Sequence, residues 1–195
     1  MADKHGQMKR MEIRLGGTGG QGLILGAKML ADALSQTGRR VAQSQTYEPT
    51  SRGGFCHSDL VVSGAEVDYP LATAIDYLVL LDRIAAGPSL PLVKPAALVI
   101  ADTRLCPDLP EGNYRTYSVA LSRTALDLGS ERVTNIVALG ALAALTGICE
   151  RASLDRAVRA DTPRSFLDLN LEALEAGFRL GSEASRAAKS PALAQ

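Results

Sequence analysis

The feature that most constrains the fold is a glycine-rich loop between a predicted strand and a predicted helix. Met11–Leu15 alternates like a strand, Gly17–Gly22 follows with the sequence GTGGQG, and residues 22–38 show an apolar helical pattern that includes Ile24. Glycine is the costliest residue to order, so this density needs a structural or functional reason. With a second strand predicted at RRVAQSQTY, the segment indicates a β-loop-α-β unit, which opens a doubly wound sheet.

Later segments extend this pattern. Cys56–Gly64 alternates like a strand, and Ala65–Pro70 is predicted to pair with it as a hairpin. The runs AIDYLVLLD and PAALVIAD are continuously apolar, which is typical of buried parallel strands, and NYRTYSVAL adds another strand. From Leu121 onwards the pattern is helical. We therefore predict an α/β fold: a Rossmann-like, doubly wound, mostly parallel sheet with flanking helices and a helical C-terminal part.

Length and composition favour a single domain. The 195 residues can bury one full core, and we expect a flexible leader at 1–10, one α/β domain at 11–181 and a tail at 182–195. A formal net charge of zero argues against a nucleic-acid partner. No apolar run reaches membrane-spanning length, and the polar N-terminus shows no export signal, so we expect a cytoplasmic protein.

The titratable residues suggest no catalytic or metal site. Cys56, Cys106 and Cys149 are scattered without a C-x-x-C pair, so the chain alone predicts neither a zinc site nor an iron–sulfur cluster. Of the two histidines, His5 lies in the leader, and His57 lies in a predicted strand, where a lone histidine is more often structural. We therefore predict no catalytic residue and no metal ligand.

The glycine loop fits the G-x-G-x-x-G fingerprint, whose glycines let a backbone approach a phosphate at a helix N-terminus. A dinucleotide site also needs an acidic residue about 20 residues further on. Gln43 and Gln45 stand in that strand instead, and Glu48 comes after its expected end. No Gly-Lys-Ser/Thr follows, which excludes a P-loop. Two interpretations stay open: a generic phosphate or backbone-contact loop, and close strand–helix packing.

A second unusual loop follows the second strand. It carries Tyr47, Arg52, Gly53 and Gly54, and parallel strands would place it beside the glycine loop at the carboxyl edge of the sheet. Arg52 could then bind an anion held by the first loop, since arginine suits bidentate phosphate recognition. Alternatively Arg52 pairs with Glu48 or Asp59. The apolar helix predicted at VTNIVALGALAALTGI is either a subunit interface or an ordinary core helix.

Four blocks in order resemble the gamma subunit of 2-oxoacid:ferredoxin (or other acceptor) oxidoreductases. They are the GxGGQG loop at Gly17–Gly22, the Y-x-P-x-x-RGG loop at Tyr47–Gly54, NIVALGAL at Asn135–Leu142 and NLEALEAG at Asn170–Gly177. The resemblance covers roughly residues 12 to 180. Many members have a glutamate before the arginine where this chain has Thr50, which is consistent with a subfamily acting on a different 2-oxoacid.

The resemblance implies an accessory role in a hetero-oligomeric complex. Such a complex oxidatively decarboxylates a 2-oxoacid to an acyl-coenzyme A, using thiamine diphosphate with Mg²⁺, [4Fe-4S] clusters and coenzyme A as a substrate. Alpha, beta and ferredoxin-like subunits would be the partners and would hold the cofactors. The 2-oxoacid stays open, aryl acids such as phenylglyoxylate and indolepyruvate included, as does the electron acceptor, ferredoxin or NAD.

The residues expected to contact coenzyme A, a phosphate or a partner subunit come from both loops and one later helix: Gly17, Thr18, Gly19, Gly20, Gln21, Gly22, Tyr47, Arg52, Gly53, Gly54 and Asn135. Two alternatives to the subunit interpretation remain at this point. One is a stand-alone NAD- or FAD-binding domain, and the other is a regulatory domain that senses a nucleotide.

Overall fold

A six-stranded sheet forms the centre of the protein, in the order β2-β3-β1-β4-β5-β6. The computed structural model describes residues 10–47 and 53–189. The strands are β1 (Met11–Thr18), β2 (Arg40–Tyr47), β3 (Phe55–Ser63), β4 (Ile75–Leu80), β5 (Val93–Asp102) and β6 (Arg115–Val119). The helices are α1 (Leu23–Ser35), α2 (Ala86–Ser89), α3 (Leu121–Asp127), α4 (Thr134–Thr146), α5 (Arg151–Asp161) and α6 (Leu167–Lys189).

The sheet is mixed because one strand runs against the others. β1, β4, β5 and β6 pair in parallel, whereas β3 is antiparallel to both of its neighbours, β1 and β2. The α/β fold with flanking helices and a helical C-terminal part is therefore confirmed. β3 inserts between β1 and β2, but both of these strands end at the same edge of the sheet.

The hairpin predicted for Ala65–Pro70 is also wrong, since this segment contains no strand. β3 pairs with β1 from Phe55 to Val62 on one side and with β2 from Cys56 to Ser63 on the other. Both of its edges are thus occupied, and a hairpin partner has nowhere to bind. The segment instead passes close to β2, where the Ser44 hydroxyl donates to the Pro70 carbonyl at 3.1 Å.

Helix α1 follows the predicted helical period with one correction. Leu23, Ala27, Leu30 and Leu34 are buried against the sheet, but Ile24, predicted to belong to the apolar stripe, is 37% exposed. The buried stripe therefore begins at Leu23, and the side chains of the next two residues lie at the surface.

Helix α4 is a core helix within this chain. Its residues from Thr134 to Ala143 are all buried, so the expectation that this helix is a subunit interface is not supported. It packs on α6 at very short range, because glycines on both helices remove the side chains between them. A methyl group on Gly140 would lie 2.8 Å from the Phe178 nitrogen, and one on Gly181 would lie 2.5 Å from the Ala141 oxygen.

Helix α6 continues through Lys189, so residues 182–189, expected to belong to a tail, extend this helix. The leader expected at 1–10 lies outside the described residues except for Arg10. None of the described helices combines the length and the apolar character that crossing a membrane requires.

Replacing Gly140 or Gly177 with alanine should lower the free energy of unfolding by about 3 kcal/mol, because the added methyl group meets backbone of the facing helix. Gly87 is the matched control, since it is exposed in α2 and none of the atoms that the structure describes lies within 4 Å of an added methyl group. Gly87→Ala should change stability by less than about 0.5 kcal/mol. Urea unfolding measures all three. Equal losses in the core variants and the control would contradict the close-packing interpretation.

Candidate functional site

The glycine loop lies at the carboxyl edge of the sheet, where the chain order reverses between β1 and β4. This is the position at which open α/β sheets bind ligands. Here the crevice is filled by the side chain of Gln21. Its carbonyl oxygen accepts from the Thr18 amide at 2.8 Å, and its amide nitrogen donates to the Leu81 carbonyl at 3.2 Å. The Gln21 side chain therefore stabilises the glycine loop by joining the ends of β1 and β4.

Two glycines of the fingerprint make room for side chains of this same chain. A methyl group on Gly17 would collide with the Gln21 side chain, and one on Gly22 would lie 2.6 Å from the Asn135 amide nitrogen. Gly22 also has a positive φ of 69° where it caps α1. Close internal packing, one of the two open interpretations, therefore accounts for Gly17 and Gly22.

Asn135 joins the N-termini of α1 and α4. Its amide nitrogen donates to the Gly22 carbonyl at 3.0 Å, and its side-chain oxygen accepts from the Ile136 amide. Only 5% of the residue is exposed. Both polar groups of its side chain therefore have partners within the chain. Asn135 thus holds the end of the glycine loop at Gly22 against the start of α4.

The two predicted loops do meet. The Gly19 amide donates to the Gly54 carbonyl at 3.0 Å, and the Gly53 amide donates to the Gly19 carbonyl at 3.5 Å. Gly20 (φ 102°) and Gly53 (φ 83°) adopt conformations that favour glycine, and no atom of residues 10–47 or 53–189 lies within 4 Å of a methyl group added to either. The backbone of Tyr47 ends β2 opposite Cys56. The predicted position of Arg52 lies outside the described residues.

An open groove of about 800 Å³ runs along this edge, between the glycine loop, the first turn of α1 and β2. Its lining combines glycine backbone and polar side chains with aliphatic ones: Thr18, Gly20, Gly22, Leu23, Ile24, Leu25, Lys28, Gln43, Gln45 and Cys56. Lys28 is held by Asp32 at 2.8 Å and by Asp161 at 2.7 Å. Gln43 donates to the Ile24 carbonyl and to the Ser58 hydroxyl. Gln43 stands where a dinucleotide site would have its ribose-binding acid, and its amide is thus already engaged within this chain.

A buried charged cluster that the sequence pattern did not predict lies on the other face of the sheet. Arg14 of β1 donates to both oxygens of Asp59 on β3, at 2.7 and 2.8 Å, and both side chains are nearly inaccessible. Asp59 is thus satisfied by Arg14, which weakens the alternative of an Arg52–Asp59 pair. The sequence carries a signal for this pair, because Arg14 and Asp59 are charged residues within two predicted strands.

His57 completes this cluster. Its Nε2 lies 3.7 Å from an Asp59 oxygen, its ring stacks on Phe55 with centroids 5.1 Å apart, and its buried Nδ1 has no partner among the described residues. Burial and the nearby Arg14 guanidinium lower the His57 pKa below its ordinary value, although Asp59 opposes this shift. The largely buried ring is consistent with the structural role expected for it.

The cysteines lie far apart in the fold. Cys56 is in β3, Cys106 follows β5, and Cys149 follows α4. Burial raises the pKa of both Cys106 and Cys149 to about 11, so these thiols stay protonated at neutral pH. Within residues 10–47 and 53–189, no group of three or more His, Cys, Asp or Glu side chains could hold a metal ion. The residues present do not fit an iron–sulfur cluster.

Because the pKa of His57 is lower in the folded state, its contribution to stability should be complete above the unfolded value of about 6.5 and should decrease as the pH falls below it. His57→Gln should therefore flatten the dependence of unfolding free energy on pH between about 7 and 5.5. NMR titration of the His57 ring provides a direct check. A midpoint at or above 6.5 would contradict the burial argument.

Comparison with known proteins gives consistent matches over nearly the whole chain. Residues 12–180 match the family model described as pyruvate ferredoxin/flavodoxin oxidoreductase. The 2-oxoglutarate synthase subunit KorC of Methanocaldococcus jannaschii is 33% identical over 178 residues, which are 89% of this chain and 95% of that protein.

Solved structures agree with this match. The gamma subunit of a keto/oxoacid ferredoxin oxidoreductase from Geobacter sulfurreducens PCA superposes with a TM-score of 0.83 at 38% identity, covering 91% of this chain and 99% of that one. The 2-oxoglutarate:ferredoxin oxidoreductase of Magnetococcus marinus, solved with 2-oxoglutarate, coenzyme A and succinyl-CoA bound, gives a TM-score of 0.80 at 25% identity. That match covers 90% of this chain and 32% of the longer one.

Proposed function

The chain belongs to the pyruvate ferredoxin/flavodoxin oxidoreductase family, and we propose that, as the gamma subunit of a 2-oxoacid:ferredoxin oxidoreductase, it contributes its paired loops to coenzyme A binding. The superposition on the Geobacter sulfurreducens gamma subunit covers nearly the full length of both chains. These similarities support the subunit interpretation and not a stand-alone nucleotide-binding domain. The Gln21 side chain is consistent with this interpretation. It lies in the crevice between the ends of β1 and β4, where doubly wound sheets bind a dinucleotide.

The reaction we propose for the complex is the oxidative decarboxylation of 2-oxoglutarate. The relative from Methanocaldococcus jannaschii is named a 2-oxoglutarate synthase subunit, and the Magnetococcus marinus enzyme was solved with 2-oxoglutarate and succinyl-CoA. Family membership implies that such a complex works with thiamine diphosphate, iron–sulfur clusters and coenzyme A. The dispersed, protonated cysteines of this chain favour locating the clusters in partner subunits.

The observation that carries the role of the paired loops is the contact between Gly19 and the Gly53-Gly54 pair. It joins the end of the Arg52 loop to the glycine loop, which leads into the first turn of α1. That turn carries no acidic residue, and its cap, Gly22, has no side chain to accept from its amides. Free amides at a helix N-terminus attract anions, and an arginine adds bidentate recognition. These are the properties that a phosphate group of coenzyme A requires.

Arg52→Ala in the assembled complex should raise the KM for coenzyme A by about tenfold to a hundredfold, because a charge-assisted contact is lost. Arg123→Ala is the matched control, since Arg123 is exposed on α3 and, among the described residues, pairs only with Asp127 one helical turn away. Steady-state kinetics and gel filtration of each complex measure affinity and assembly separately. An unchanged KM for coenzyme A with intact assembly would exclude the ligand role.

Purification of the native complex through a tag on this chain should yield a thiamine-dependent activity with the highest kcat/KM for 2-oxoglutarate. A panel of 2-oxoacids, including pyruvate, 2-oxoisovalerate, indolepyruvate and phenylglyoxylate, assayed with coenzyme A and ferredoxin, tests this directly. Preference for an aryl acid would overturn the substrate and leave the subunit role intact. Recovery of the chain without any thiamine-binding subunit would contradict the proposed complex.

A further inference from the structure

His57 lies in a row of side chains that leads from the buried Arg14–Asp59 pair towards the paired loops. Alternate residues of a strand share one face, so Phe55, His57 and Asp59 of β3 point to the same side of the sheet. The His57 ring stacks on Phe55, with centroids 5.1 Å apart and planes inclined by 28°. In the other direction along the strand, His57 Nε2 lies 3.7 Å from an Asp59 oxygen. The ring is thus packed between the buried ion pair and Phe55.

The row ends at the contact between the two loops. Phe55 is the first residue of β3 and lies opposite Thr18, the last residue of β1. The preceding residue, Gly54, accepts from the Gly19 amide at 3.0 Å. The Gly54 carbonyl and the Phe55 α-carbon belong to one planar peptide group, so they move together. The position of Phe55 therefore determines where the Gly54 carbonyl meets the glycine loop.

Among the described residues, two charged groups face the His57 ring. Asp59 follows it on the same face of β3, and Arg14 lies opposite Asp59 on β1. These two residues form the buried ion pair, so their charges compensate each other. A proton on His57 would therefore add an uncompensated positive charge to a buried site, which is costly.

The other elements around the ring contribute uncharged residues. Thr46 lies opposite His57 on β2, and Gly16 lies opposite it on β1. The end of α2 covers Gly16, where the Ser89 hydroxyl oxygen would lie 3.7 Å from an added methyl group. This oxygen and His57 Nδ1 are both buried without a partner among the described residues. Since no second carboxylate of the described residues faces the ring, we expect a protonated ring to leave its stacked position.

We propose that His57 is a positioning residue for the paired loops. Its stacking on Phe55 fixes the start of β3 and, through it, the contact between the Gly54 carbonyl and the glycine loop. Protonation or removal of the ring releases Phe55 and displaces that carbonyl. Cys56 lines the groove from the opposite face of β3, so His57 acts through the backbone and not by touching a ligand in the groove. Its effect on coenzyme A rests on the function proposed above, whereas the link from ring to loop contact does not.

NMR of the full-length chain tests this link without any ligand. As the pH falls from about 7.5 to 5.5, the amide resonances of Gly19 and Gly54 should shift with the same midpoint as the His57 ring, because the loop contact moves when the ring is protonated. Gly129, which follows α3 and donates to the Leu126 carbonyl, provides the control amide and should not follow that midpoint. Loop amides that do not follow the titration of the ring would overturn the proposal.

Two substitutions in the assembled complex separate the ring from its charge. His57→Gln removes the stack and should raise the KM for coenzyme A by about threefold to thirtyfold, with kcat and the KM for the 2-oxoacid unchanged. His57→Phe keeps an aromatic ring against Phe55 and should keep the wild-type KM for coenzyme A at neutral pH. Between about pH 7 and 5.5 the wild-type KM should rise relative to that of His57→Phe, because only the wild type carries a titrating ring at this position.

Gly140→Ala is the control for lost stability, since it disturbs the contact between α4 and α6 and should leave the KM for coenzyme A unchanged. Equal KM values for His57→Gln and His57→Phe would overturn the positioning role. If Arg52→Ala raises the KM and His57→Gln does not, only the positioning role fails. An unchanged KM in Arg52→Ala would instead refute the proposed coenzyme A site, and the amide shifts would still decide whether His57 positions the loops.

Discussion

The Gln21 side chain is the interaction on which the architecture of the glycine-loop edge depends. It occupies the crevice between β1 and β4 and bonds to the backbone of both strand ends. Gly17 is required because Gln21 occupies the space of a β-carbon, and Asn135 holds Gly22 from the other side. A fingerprint associated with dinucleotides is thus used mainly for packing within the chain. What remains accessible is the backbone of Gly19, Gly20 and the Gly53-Gly54 pair.

A second constraint comes from β3, which runs against the rest of the sheet. The Arg14–Asp59 pair lies within the β1–β3 ladder and is almost fully buried. Burying two charges costs free energy that the pair itself offsets only with good geometry, and here two hydrogen bonds supply it. Removing one partner would leave the other charge buried and unpaired. Such a pair favours one register, because a slip of one residue would separate the two charges and reverse every side chain of β3.

Much of the fold was predictable from the sequence, and the errors that concern the sheet share one cause. The buried strands β4 and β5 have continuous apolar runs, and the long helices have clear amphipathic or apolar patterns. The insertion of β3 between β1 and β2 has no such local signal, because strand order depends on contacts between distant residues. The false hairpin at Ala65–Pro70 followed from that omission. The meeting of the two loops was predicted correctly, since both follow strands that end at one edge. The inward direction of Gln21 was not, because an exposed and a buried glutamine look alike in sequence.

The nearly complete burial of α4 has a consequence for biosynthesis. This helix is apolar around its whole circumference and needs α6 to cover it, and its Asn135 contacts Gly22 from 113 positions away in the chain. The partly synthesised polypeptide therefore exposes α4 until the Gly177 and Gly181 region has left the ribosome. Contacts between such distant residues also make folding slow. During this interval the exposed apolar surface of α4 is prone to aggregation.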